Sequence, residues 1–228
     1  MIRKIMRKFK NAFRSAARAF LCIVSLEHAA KGGGGRQAAT KLDGIRKDHI
    51  GRYLFACQFI KKDDVVLDCA CGTGYGASIL ANRTGASKVI AVDKDKKAID
   101  YARKYYSTPG VNYRREDIFM FNAPNAYFDV IISLETIEHL DGTAIMKYFH
   151  DKLKPKGLLI VSTPNEEKVP FNKRDFPFHL RHYTLEEFSE LLIDNGFAIK
   201  GRFTQYSRDM QKVSEGWGGL YNIAVAEK

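Results

Sequence analysis

Three scarcities narrow the reading of this chain before any motif is considered. Only four cysteines occur, Cys22, Cys57, Cys69 and Cys71, and no two of them have zinc-site CxxC spacing. Cys69 and Cys71 would point to opposite faces of a strand, a poor disulfide pair, so all four read as small buried hydrophobes in a reducing compartment. No stretch near 18 residues is free of charge, which excludes a transmembrane span. Acid is scarce at the start, where Glu27 is alone among residues 1–36. Internal repeats and low-complexity segments are also missing, apart from the glycine run 32–35. What remains is one chain of 228 residues, 45% hydrophobic, enough for one core.

The charge that is present is lopsided. Nine Lys and Arg fall within residues 1–36, leaving only about +3 of the total +11 for everything after. The basic character therefore belongs to an arm, and the near balance of the rest argues against a broad nucleic-acid binder. Within residues 1–26, Ile2, Ile5, Met6, Phe9, Phe13, Ala16, Ala17, Phe20, Ile23 and Val24 recur at helical spacing, with Lys and Arg mostly opposite. Such a helix suits the surface of an anionic bilayer, at the inner, cytoplasmic face of a membrane. A secretory signal, an organellar presequence, or a helix docking on its own domain or on a partner are the rival readings. Residues 1–36 are expected to form this arm with its Gly-rich hinge, and 37–228 the domain.

Beyond residue 60, short β-rich runs alternate with helical segments. Strands are expected over 65–69, 88–93, 111–114, 128–134, 158–163, 198–205 and 220–226, with helices near 78–82, 96–106, 143–153 and 185–195. The last helix has clear punctuation: Thr184 and Glu187 at capping-box spacing, and Gly196 just past its end. Alternation of this kind predicts an α/β fold, a Rossmann-like, mostly parallel sheet with helices on both faces.

The segment 65–77 carries the chemistry. Gly72, Gly74 and Ala77 satisfy a dinucleotide-type GxGxxG/A pattern, a weak signal alone. Asp68, four residues before the first glycine, would repel a pyrophosphate and suits the cationic amino-acid end of S-adenosylmethionine (SAM), directly or through water. Asp93 closes the second strand, where an acid accepts from both ribose hydroxyls. Asp117 follows the third strand, placed to accept from an adenine amino group, with Ile118 against the ring.

Asp68-Cys-Ala-Cys-Gly72-Thr-Gly74, Asp93, Glu116-Asp117-Ile118 and Phe128-Asp129-Val130-Ile131 together resemble the ordered motifs of class I SAM-dependent methyltransferases, from about His49 to the C-terminus. The resemblance implies a seven-stranded sheet whose last strand is antiparallel. It assigns SAM, and its product S-adenosylhomocysteine, to Tyr53, Asp68, Ala70, Gly72, Thr73, Gly74, Asp93, Lys94, Asp117, Ile118 and Leu134, with a helix bearing Arg52 and Tyr53 folding over the cofactor.

On the acceptor side, Glu135, Glu138 and His139 follow the fourth strand, and His182 precedes the last helix. Methyl transfer requires alignment and a base, and histidine is the natural base for a hydroxyl. His139 is the first candidate and His182 the second, with Glu135 and Glu138 beside them; either histidine could instead fix a loop. The Glu135-x-x-Glu138-His139 segment is similar to that of ubiquinone-pathway and glycan O-methyltransferases. With a later histidine it is also similar to the Mg²⁺ or Mn²⁺ site of small-RNA 2′-O-methyltransferases, so a divalent metal is the alternative rather than the expectation. A lid at residues 170–178 is expected over the acceptor, with Lys173 and Arg174 either meeting an anion or lying solvated. The favoured acceptor is a glycan, glycolipid or lipid-soluble small molecule, with RNA the runner-up.

Overall fold

Valine, isoleucine and leucine dominate the central strands, because both faces of the sheet are covered. The computed structural model describes residues 36–228; the helix expected over 1–26 and the glycine run lie outside the described residues. In chain order the elements are α1 (Lys47–Ala56), β1 (Val65–Cys69), α2 (Tyr75–Arg83), β2 (Lys88–Asp93), α3 (Lys96–Tyr105), β3 (Val111–Arg115) and β4 (Phe128–Leu134). They continue with α4 (Gly142–Lys152), β5 (Leu153–Pro164), α5 (Leu185–Asp194), β6 (Ala198–Gln205), β7 (Ser214–Glu215) and β8 (Tyr221–Glu227).

The strands form one sheet in the order β3-β2-β1-β4-β5-β8-β6-β7. The pairs from β3 to β5 are parallel, and β8 runs antiparallel to both β5 and β6. The period of two along β1 splits its side chains between two cores. Val66 packs with Tyr53, Leu80 and Ile99 of α1, α2 and α3, while Leu67 faces Phe149 and Phe188 of α4 and α5. The chain steps from β1 to β2 and β3 on one side, then returns to β4 and β5 on the other. That reversal opens a crevice at the carboxyl ends of β1 and β4.

The Rossmann-like reading with an antiparallel last strand holds, with two differences in detail. The sheet has eight strands rather than seven. The extra one, β7, is two residues paired to Phe203 and Thr204, too short to leave any periodic signal. β5 begins at Leu153, five residues before its expected start, because Leu153 already pairs with Phe128 ahead of a register shift. At α5, Thr184 and Glu187 form the reciprocal cap, and Gly196 has φ +86°, the left-handed C′ position that favours glycine. Cys57, Cys69 and Cys71 are all unpaired thiols.

Candidate functional site

A cavity of about 690 Å³ lies at the switch point, walled by the carboxyl ends of β1, β2, β4 and β5 and roofed by α1. Two of the loops that leave these strands are strained. Ala70 after β1 has φ +56° and Glu135 after β4 has φ +53°, left-handed values that cost an L-residue about 1–2 kcal/mol each. Both residues line the cavity, so the strain sits where ligand would be met.

At the β1–α2 turn, Gly72 (φ +55°) leaves an open cradle: a Cβ there would find only the Arg36 Cδ, at 3.9 Å. Gly74 serves a different purpose. A Cβ on it would lie 2.4 Å from that of Ala102 and 2.8 Å from the Tyr113 ring, so it lets α2 approach α3 and does not line the cavity. Asp68 also stays out of the cavity. It is fully buried, and burial pushes its carboxyl up to about 7, against the donation it receives from the Tyr53 hydroxyl at 3.0 Å. Tyr53, which does line the cavity, is thus tied to Asp68 through Oδ1, while Asp68 Oδ2 has no hydrogen-bond partner. Ala70, Thr73, Asp93, Lys94, Asp117, Ile118, Leu134 and Tyr53 do line the cavity.

Asp93 is buried at the tip of β2. Its Oδ2 accepts from the Gly72 amide at 3.0 Å, and its Oδ1 from the Asp95 amide at 2.8 Å. Asp117 uses one carboxylate oxygen to cap the following turn through the Phe119 amide, and the residue lines the cavity.

The opposite end is built from the β4 loop and the segment before α5. Glu135 accepts from Ser162 Oγ at 2.7 Å. Burial raises its pKa, opposed by the nearby Arg52 guanidinium. Glu138 is more deeply buried; burial and then the Glu135 charge hold its carboxyl well above the usual range. Its Oε2 has no hydrogen-bond partner.

A hydrogen-bond chain sets the histidine tautomers. A backbone carbonyl only accepts, so His182 Nδ1–H donates to Val169 O at 2.5 Å, leaving His182 Nε2 to accept. His179 Nδ1–H fills that role at 2.7 Å, which leaves His179 Nε2 bare, buried and unpartnered. His139 Nδ1–H likewise donates to Phe178 O at 2.9 Å, leaving its Nε2 unprotonated. Burial keeps both rings neutral, pushing His179 down to about 3 and lowering His139.

The second candidate base, His182, is therefore misplaced. Both its nitrogens are engaged, and it lies behind the wall as a positioning residue for His179. His179 takes its place in the cavity. It stood three residues away in the same Phe-His-Leu-Arg-His run, but nothing in the spacing told the two apart. Also missed were His49 on α1, Arg46 at its N-cap and Arg36 further ahead, all cavity-lining, because isolated basic residues carry no periodic or motif signal. Lys173 is spent on the His179 carbonyl at 3.0 Å, and Arg174 is exposed and outside the cavity lining.

Comparison with known proteins agrees with this geometry. Residues 66–157 match a family model described as a methyltransferase domain. A probable S-adenosylmethionine-dependent methyltransferase of Mycobacterium tuberculosis is 39% identical over 137 residues, 58% of this chain and 48% of the relative. A ubiquinone biosynthesis O-methyltransferase of Methylocella silvestris is 33% identical over 109 residues, 46% of this chain and 42% of that one. The chain thus matches about half the length of these curated relatives. A putative S-adenosylmethionine-dependent methyltransferase from Listeria monocytogenes shares the fold at a TM-score of 0.64 and 19% identity, covering 79% of this chain and 99% of that one.

Proposed function

We propose that this chain, a class I SAM-dependent methyltransferase by family, methylates a hydroxyl oxygen of a glycan, glycolipid or lipid-soluble small molecule at a membrane surface. The observation that carries the reading is the tautomer of His139, a neutral ring on the cavity wall whose Nε2 is free to take a hydroxyl proton. SAM, when bound, supplies a methyl group on a sulfonium and leaves as S-adenosylhomocysteine. The Gly72 cradle, Asp93 and Asp117 would hold its adenosine, with Ile118 and Leu134 as apolar walls. Arg52 Nη2, buried and unpartnered on the same wall, fits the carboxylate of the amino-acid end. Phe178, 63% exposed, and Leu180, 58% exposed, form an apolar lip beside His139 that suits a greasy acceptor. Among the described residues no helix is long and apolar enough to cross a membrane; the reading takes the basic and apolar residues of segment 1–26 as the membrane contact.

Asp93→Ala is expected to weaken SAM binding more than tenfold, about 1.4 kcal/mol, by calorimetry, for the loss of two ribose hydrogen bonds. Unchanged affinity would remove Asp93 from the cofactor site.

A second reading is favoured by one cluster. Ligand atoms of Glu138, His139 and His179 lie within 4.8 Å of one another, and Glu138 Oε2 and His179 Nε2 are buried without hydrogen-bond partners. Two imidazoles and a carboxylate are a donor set for a divalent cation, which would favour a vicinal diol such as an RNA 3′ ribose. Methyl-labelled SAM added to a membrane-containing cell extract separates the two readings. Label in the organic or glycan fraction that survives chelator and nuclease supports the first; label abolished by both supports the second.

A further inference from the structure

Arg36 sits on the acid expected to hold the cofactor ribose. Its Nη2 donates to Asp93 Oδ1 at 3.0 Å and its Nη1 to Asp95 Oδ2 at 2.7 Å. Its Cδ is the atom nearest the open side of Gly72. The residues after it are pinned across the same loop. Thr73 Oγ1 donates to the Gln37 carbonyl at 2.8 Å, Ala38 is buried in the core, and the Tyr106 hydroxyl donates to the Ala39 carbonyl at 2.6 Å. Arg36 and Gln37 line the cavity at its nucleotide end.

The acceptor capacity of Asp93 is nearly used up. A carboxylate offers about four lone-pair sites. Oδ1 already receives Arg36 and the Asp95 amide, and Oδ2 receives the Gly72 amide. A ribose diol needs two acceptor sites, so one donor must leave. The two amides belong to the β1 and β2 loops that shape the cavity and cannot leave without remodelling it. Arg36, one-third exposed and joined to Asp93 through its side chain, can.

We propose that the Arg36 side chain is an internal occupant of the ribose subsite, a latch that must release Asp93 before SAM binds. This rests on the SAM reading above.

The test is calorimetric titration of SAM into the full chain and into its Arg36→Ala and Arg36→Gln variants. Freed of a partly exposed ion pair, both variants are expected to bind SAM about two- to fivefold more tightly. Raising salt should tighten SAM binding to the parent relative to the variants, since only the parent has an ion pair to screen. The gain should also appear with 5′-methylthioadenosine, which keeps the ribose but lacks the amino-acid end. Weaker or unchanged SAM binding in both variants overturns the latch and makes Arg36 a ligand contact or a bystander. If neither parent nor variants bind SAM, the cofactor reading falls with it, an outcome distinct from the first.

Discussion

Replacing His139 by alanine is expected to lower methyl transfer by about two to four orders of magnitude, the usual contribution of a positioned base, while SAM affinity stays near that of the parent. The asymmetry follows from position. His139 stands on the turn after β4, with Glu138 and His179, at the end of the cavity away from Asp93 and Asp117. Its ring contributes one bare nitrogen and a ring contact with His179 at 4.5 Å between centroids, and nothing to the glycine cradle. Rates of label transfer into the acceptor fraction, beside calorimetric SAM binding, separate the roles. Equal loss of rate and SAM binding would identify a structural histidine whose removal drops the Phe178 loop. His182→Ala makes a useful companion, because a positioning residue that only fixes the His179 tautomer should cost less than His139.

Gly76→Ala should destabilise the protein by about 1–3 kcal/mol, the range for overpacking a filled core, and weaken SAM binding at the same time. A Cβ on Gly76 would lie 2.0 Å from the Tyr53 Cζ and within 2.4 Å of two further ring atoms. Tyr53 has little room to yield. Its ring packs edge-on against Tyr75 at 5.6 Å, and its hydroxyl is tied to the buried Asp68. Moving the ring would lift α1, the roof of the cavity, and leave Asp68 Oδ1 unpaired. Chemical denaturation at fixed pH measures the first effect and calorimetry the second. A midpoint equal to that of the parent would mean that α1 is loosely seated, and that Gly76 is there for some other reason.

The residues explain why much of this was visible without coordinates. The strands 65–69, 88–93, 128–134 and 198–205 are found at the residues expected, because runs such as Val-Val-Leu-Asp-Cys combine β-branched bulk with sharp loop boundaries. Asp93, Asp117 and Ile118 reach the cavity because strand ends in an open parallel sheet converge at one edge, so spacing alone places them. Capping of α5 is a local interaction between Thr184 and Glu187, complete within four residues. Local chemistry of this sort is written in the order of the chain.

The long-range pairings were not. That Asp68 is tied to Tyr53, that Gly74 serves helix packing, and that Arg36 occupies Asp93 all depend on segments 15 to 57 residues apart meeting in space. The choice between His179 and His182 turned on which carbonyl each ring found, Val169 or none, and the fold of the 165–183 loop alone decides that. Amino-acid order determined which elements form and which acids reach the switch point, through periodicity and strand-end convergence. Tertiary packing decided which nitrogens stay bare and which carboxylates are already taken, because a buried polar group takes its character from the partner the fold brings to it.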